Sequence, residues 1–298
     1  MKANIMDLID FSGYERGKVN YGGSERKESI LVPNGDGTFS DYMLKFRKKT
    51  PFGARCNHVS EYVGSHIFEL LGFNVQKTFL GTFEGEEVVA CKSFVEAGEQ
   101  FVPFNDVGES TLDQDKERYQ YEYADIMQML RDNSKLTDVS ETIAMFWEMF
   151  IVDALIGNFD RHGLNWGFVK RDGAYSLAPV FDNGSCLFPS LVDEDEMLRI
   201  IGSEEETRAR VYGFPTSQIR LRGRKSSYYE VVSSLEFDEC NRALCEIVKR
   251  TDMDAIHRLV TSVPGISDRR KAFYDHMLEA RYRCIIEAPY QALVGRNA

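Results

Sequence analysis

The residues that could do chemistry gather between positions 153 and 184, in DALIGNFDRHGLNWGFVKRDGAYSLAPVFDNG. Asp160 and Asn165 stand at D-x-x-x-x-N spacing, and Asp182 follows in Asp182-Asn183-Gly184. Two carboxylates and an amide on loops are the set that metal-assisted phosphoryl transfer requires. One aspartate orients and deprotonates an attacking hydroxyl, while the asparagine and the second aspartate hold magnesium against nucleotide phosphates. The bland reading is an Asp160–Arg161 salt bridge and an ordinary turn at 182–184, because Asp and Gly are routine turn formers. The joining segment weighs against it. Trp166, Phe168 and Val169, then Arg171-Asp172-Gly173, then Tyr175, Leu177 and Val180 read as a β-hairpin over 165–181. Such a hairpin folds Asp182 back toward Asn165, so that both reach one cation.

These loops need a frame. The pattern predicts a helix over 138–156, opening with Asp138 and Glu141 at capping-box spacing. Its broad apolar face (Ile143, Phe146, Trp147, Phe150, Ile151, Ala154, Leu155) marks it as central to its lobe, and it leads directly into Gly157-Asn158-Phe159-Asp160. Upstream, 29–32 and 42–46 read as strands around the turn Asn34-Gly35-Asp36-Gly37. A helix over 55–71 ends at Gly72, and the strands VQKTFLGTF and EVVACKSFV meet at Glu84-Gly85-Glu86. That order is the order of a small nucleotide-binding lobe over 1–100. EAGEQFVPFND at 96–106 reads as its exit. A mostly helical lobe fills 101–298, with further helices at 118–131, 236–250, 252–261 and 266–287.

On this map Lys45 falls mid-strand among apolar residues. A buried ammonium needs a partner; phosphates and a carboxylate on the next helix, Glu61, would satisfy it. An edge lysine facing water is the alternative. Tyr21-Gly22-Gly23-Ser24-Glu25-Arg26-Lys27 precedes the first strand. Gly22 and Gly23 would let backbone N–H groups approach phosphates, with Lys27 adding charge. Ser24 on that loop is a candidate phosphorylation site. The segment matches neither of the standard glycine-rich phosphate motifs.

Composition sets the bounds. The chain has 298 residues, 43% hydrophobic and 28% charged, with a net charge of −11. That charge argues against direct nucleic-acid binding and against anionic membranes as partners. No apolar run reaches eighteen residues, so no transmembrane helix is expected. Acids interrupt MKANIMDLIDFSG where a signal's apolar core would lie, so a cytoplasmic location is expected. The six cysteines form no Cys-x-x-Cys pair and read as reduced thiols.

Gly157-Asn158-x-Asp160-Arg161-His162-x-x-Asn165, Leu177-Ala178-Pro179-x-Phe181-Asp182, and a glutamate eleven residues before Gly72 together resemble the HipA-like serine/threonine kinases. The compact, CtkA-type members are the nearest comparison, and the match runs from the glycine loop to at least 190. The resemblance implies an α+β, bilobal protein-kinase-like fold with a strand-rich N-lobe and a larger helical C-lobe, using ATP and Mg2+. It implies Asp160 as the catalytic aspartate, Asn165 and Asp182 as metal ligands, and Lys45 on the α/β-phosphates. The backbone of Ser93, Phe94 and Val95 would form the adenine hinge, with His162 and Glu61 among the nucleotide-site residues. Ser24 is the position nearest the family's autophosphorylated serine. Many HipA toxins carry a further N-terminal subdomain that meets a DNA-binding antitoxin; here only about twenty residues precede the glycine loop, so an antitoxin partner does not transfer directly.

Three classes stay open. They are a protein kinase acting on itself and on a protein substrate, a small-molecule or phosphoinositide kinase, and an inactive binding module. Filled catalytic positions weigh against the last, and the acidic charge weighs against a membrane-facing lipid kinase. Segment 213–225, GFPTSQIRLRGRK, collects Arg220, Arg222, Arg224 and Lys225 in an otherwise acidic chain. It reads either as a grip on a phosphate or acidic substrate or as a solvated loop.

Overall fold

A computed structural model describes residues 8–19, 26–51, 53–108, 122–132 and 138–297. The glycine-loop residues Gly22, Gly23 and Ser24 lie outside the described residues. The chain forms two compact units. One takes the chain up to Phe94 with Pro179–Arg199 and Asp252–Asp275; the other takes Val95–Ala178, Ile200–Thr251 and the stretch from His276.

The first unit is built on β1 (Ile9–Asp10), β2 (Glu15–Arg16), β3 (Lys27–Pro33), β4 (Phe39–Phe46), β5 (Lys49–Thr50), β6 (Gly53–Ala54), α1 (Asn57–Leu70), β7 (Thr78–Phe83) and β8 (Glu86–Lys92). A six-stranded sheet runs β1-β7-β8-β4-β3-β2, antiparallel except where β1 joins β7. Alternation along β4 sorts its side chains. Leu44 and Phe46 enter a buried cluster with Phe11, Ile30, Phe83, Val88 and Ala90. Lys45 points to the opposite face, opposite Val89 of β8. Helix α1 lies on that face and is buried along most of its length, which its run of Val59, Tyr62, Val63 and Ile67 demands. Asn57 fixes its start: the side chain donates to Phe46 O at 3.0 Å and accepts from Lys48 N at 3.0 Å.

The second unit opens with β9 (Gln100–Pro103), α2 (Phe104–Gly108), α3 (Tyr123–Asp132) and α4 (Val139–Ile156), then β10 (Gly167–Arg171) and β11 (Ala174–Leu177). The stretch read as an exit therefore carries a strand, and β9 pairs with β10 to complete the sheet β11-β10-β9. Asp138 caps α4 by accepting from Glu141 N at 2.8 Å, and Gly157 ends it in the left-handed region at φ 65°. Trp147 is fully buried, with Phe146, Phe150 and Phe237 around its ring. The β10–β11 turn is Asp172-Gly173, both at positive φ, as a two-residue hairpin turn requires.

Beyond the hairpin follow α5 (Glu194–Ile201), α6 (Glu204–Tyr212), β12 (Thr216–Leu221), β13 (Arg224–Ser227), α7 (Tyr228–Ser234), α8 (Asp238–Arg250), α9 (Met253–Ser262), α10 (Asp268–Arg281) and α11 (Ala288–Asn297). A π-helical turn, Tyr282–Glu287, joins the last two, so the helical pattern over 266–287 continues further than its periodicity suggests. The segment weighed as a loop at 213–225 is instead the β12–β13 hairpin. No helix among the described residues is long and apolar enough to cross a membrane.

Candidate active site

In the first unit the sheet, α1 and the segment after Pro179 bring three predicted residues together. Lys45 Nζ donates to Glu61 Oε2 at 2.7 Å and to Asp182 Oδ1 at 2.8 Å. Side-chain exposure is 7% for Lys45 and 1% for Glu61, but 40% for Asp182. Burial by itself favours a neutral lysine; Asp182 and Glu61 outweigh it and hold the ammonium well above the ordinary lysine pKa. Removing one partner of such a buried set leaves a bare charge, at a cost of about 3–5 kcal/mol.

The turn that carries Asp182 is built to present it. Asp182 sits in the left-handed region at φ 57°, a conformation Asp tolerates better than most residues. The next residue, fully buried Asn183, anchors the turn: its N–H donates to Glu61 Oε1 at 2.9 Å and its side-chain amide to Ser65 Oγ at 3.0 Å. Cys186 Sγ donates to Ser60 O at 3.2 Å. Gly64 of α1 makes room for this approach, since a Cβ there would meet Asn183 Cβ at 2.8 Å and Cys186 Sγ at 2.9 Å.

In the second unit α4 delivers the loop 158–165, and a carboxylate on α4 itself organises it. Buried Asp153 takes a two-pronged contact from Arg161, Nε to Oδ2 at 2.9 Å and Nη2 to Oδ1 at 3.1 Å, and a third bond from Asn158 Nδ2 at 3.1 Å. Burial pushes the Asp153 pKa up, and Arg161 and Asn158 pull it back. Arg161 thus pairs with Asp153, which corrects the bland reading that gave it to Asp160. Its Nη1 also donates to Asn165 O at 3.0 Å, while Asn165 Nδ2 donates to Asp160 O at 2.8 Å. Asp160 N donates to Asn158 Oδ1 at 3.1 Å, and His162 Nε2 stands 3.8 Å from Asp160 Oδ1. Asp160 and Asn165 are therefore held in one closed ring of hydrogen bonds with Asp153, Asn158 and Arg161, and His162 lies beside it.

Two more residues brace this loop from the C-terminal side. Gln218 of β12 donates to Phe159 O at 2.7 Å, and the Tyr228 hydroxyl at the head of α7 donates to Asn158 O. Sequence reading missed Asp153, Asn158, Gln218 and Tyr228. Asp153 had a signal, as a lone acid inside an otherwise apolar helix face; Gln218 and Tyr228 had none. Of the remaining predicted residues, Lys27 begins β3 opposite Lys45. Ser93 N donates to Asp41 O at 2.8 Å, the Phe94 ring lies 5.4 Å from that of Phe181, and the chain passes between units at Phe94 and Val95.

The donor chemistry fits a hard cation. Two carboxylates share one ammonium in the first unit, leaving excess negative charge, and Asp182 is the one solvent reaches. With its amide nitrogen engaged on Asp160 O, Asn165 keeps its side-chain oxygen as the acceptor end. Carboxylate and amide oxygens suit magnesium.

Comparison with known proteins gives the family. The family model for the HipA-like C-terminal domain matches residues 19–261. The chain is 33% identical over 293 residues to the serine/threonine-protein kinase CtkA of Helicobacter pylori, covering 96% of this chain and 88% of that protein. The crystal structure of the Helicobacter pylori proinflammatory kinase CtkA matches with a TM-score of 0.88 at 32% identity, over 97% of this chain and 99% of the other. HipA from Shewanella oneidensis, solved with HipB and operator DNA, matches with a TM-score of 0.57 at 16% identity over 92% of this chain and 68% of that one, a likeness of fold. The chain belongs to the family of HipA-like C-terminal domains, with an α+β protein-kinase-like fold, and is a phosphotransferase of the serine/threonine protein kinase class.

Proposed function

We propose that the chain transfers the γ-phosphoryl group of ATP, with Mg2+, to serine or threonine hydroxyls of a protein substrate and of itself. The observation that carries this reading is the Lys45 ammonium buried between Glu61 and Asp182. An ordinary structural ion pair needs one carboxylate. Here a second, partly exposed one stands on the same ammonium, a charge set suited to phosphates and their cation.

Each residue then has a task. Asp160 accepts the proton of the attacking hydroxyl, and the ring through Asn158, Arg161 and Asn165 holds its backbone in place. Lys45 binds α/β-phosphate oxygens and is kept charged by Glu61. Asn165 and Asp182 supply oxygen ligands for magnesium, which when bound neutralises charge that builds on the phosphates. The backbone at Ser93, Phe94 and Val95 is the adenine hinge. The likeness to Shewanella oneidensis HipA is one of fold, so an antitoxin partner forms no part of this proposal.

The test is incubation of the full chain with γ-labelled ATP and magnesium, followed by mapping of phosphorylated sites by mass spectrometry. Asp160→Asn removes the proton acceptor while preserving shape. Turnover should fall by about 10²–10⁴, the usual contribution of a positioned base. Wild-type transfer by a folded Asp160→Asn protein would overturn the assignment.

A further inference from the structure

The β12–β13 hairpin plays no part in the chemistry described so far, yet it is bonded directly to the loop that does. Gln218 holds Phe159 O at 2.7 Å, one residue before Asp160. The Tyr228 hydroxyl, immediately after β13, holds Asn158 O. The Phe214 ring, ahead of β12, lies 5.7 Å from that of Phe159. Three contacts from three parts of one short segment fix its position against the catalytic loop.

Its charge is unusual. Ser217 and Ile219 are buried while Gln218 and Arg220 alternate to the other face. The ladder is irregular between Thr216 and Arg220, and the Arg220 side chain lies toward the turn, its Nη1 donating to Gly223 O at 3.3 Å. Its partner across the ladder is Lys225, so two cations stand directly opposite each other, an arrangement that destabilises a hairpin. The turn between the strands adds Arg222 at φ 56°. Arg224 pairs with Glu230 at 3.0 Å, and the Glu122 carboxylate, which lies alongside, is taken up by Gly223 N at 2.7 Å. Arg222 and Lys225 pair with no acid among the described residues. Four cations thus stand within residues 220–225 of a chain whose net charge is −11.

We propose that this hairpin is the docking element for the protein substrate, and that it selects an acidic stretch flanking the phosphoacceptor hydroxyl. The inference rests on the kinase reading above. Arg220 is two residues beyond Gln218, about 7 Å along the strand, and Arg222 follows just past the end of β12, in the turn. An extended peptide rises by the same amount per residue. The cations therefore meet side chains roughly two to five positions from the acceptor. A carboxylate there is gripped by Arg220 and Lys225 together, and the like-charge pair is relieved only when the substrate is bound.

The experiment compares three synthetic peptides around one serine acceptor, with Glu, Ala or Lys at positions two to five away, using the full chain and ATP. The Glu peptide should show a KM at least tenfold below the Lys peptide, and the advantage should fade as salt is raised. Arg220→Glu with Lys225→Glu should invert that order, favouring the Lys peptide. Inversion is a readout that mere unfolding cannot produce. Binding of a fluorescent Glu peptide, read by anisotropy without ATP, should weaken at least tenfold in the same variant. That arm separates this inference from the kinase reading: peptide binding that depends on Arg220 and Lys225 with no phosphate transfer to any acceptor would sink only the latter. Equal KM values for the three peptides, or an order unchanged by the double reversal, would sink the docking role. So would a reversal that releases the chain from phosphatidylserine vesicles but leaves peptide binding intact, since the occupant would then be a membrane.

Discussion

At the residue scale the decisive side chain is Lys45, because its surroundings fix both its charge and its direction. Lys45→Met should lower kcat by about 10²–10³, the cost of losing one preorganised charge on the transferring group. The same change strands Glu61 in a site that is 1% exposed, so urea unfolding should show a loss of about 3–5 kcal/mol. Adding Glu61→Gln to Lys45→Met should restore much of that stability without restoring turnover; simple additivity in the cycle would refute the direct pairing. This much was legible in the sequence, since a lysine inside an apolar strand needs a counter-charge and the next helix offers Glu61. Asn183 was not legible. An amide after an aspartate reads as turn material, and only its burial against Ser65 and Glu61 reveals an anchor.

At the element scale the loop 158–165 is a structure in its own right, tied to α4 through Asp153. Arg161→Lys keeps a positive charge but cannot make the two-pronged contact to Asp153 and also reach Asn165 O. Steady-state assays should show kcat reduced about tenfold or more with KM for ATP little changed, because misplacement of the loop affects the reacting geometry first. An unaltered kcat would mean the guanidinium network is not what places Asp160. The hairpin over 165–181 was readable because Asp172-Gly173 is strong turn chemistry between alternating apolar residues. The β12–β13 hairpin carries a similar Arg222-Gly223 turn, but Ser217 and Gln218 blur the alternation beside it and the charges suggest a solvated loop. Strand β9 was hidden for a different reason. Four residues carry too little pattern, and its partner β10 lies more than sixty positions away.

At the scale of the whole molecule, stability should depend on pH through a group to which the proposed chemistry gives no role. Burial, aided by Arg47 and Arg270, lowers the His58 pKa from 6.5 to about 3. The folded chain refuses a proton that the unfolded chain accepts, so this contribution is complete above about pH 6.5 and is lost as pH falls from there toward 3. Unfolding free energy should drop by about 1.4 kcal/mol per pH unit from this group, and His58→Gln should flatten the slope between pH 6.5 and 5. Equal slopes would remove His58 as the cause. Much of the element order up to β11 was visible in the sequence, because periodicity reports local structure. That 179–199 and 252–275 return to the unit begun by the first ninety-four residues was not, because periodicity says nothing about neighbours. One such return has a mechanical corollary. A single carboxylate, Glu61, grips Lys45 with one oxygen and the backbone of Asn183 with the other. Swinging α1 outward would cut both ties at once and unseat the Asp182 turn with it. The helix and the turn are thus latched as one body. An inhibitor that works by prying that helix away would have to break the whole latch, whereas one that blocks the route of the acceptor peptide would meet no such resistance.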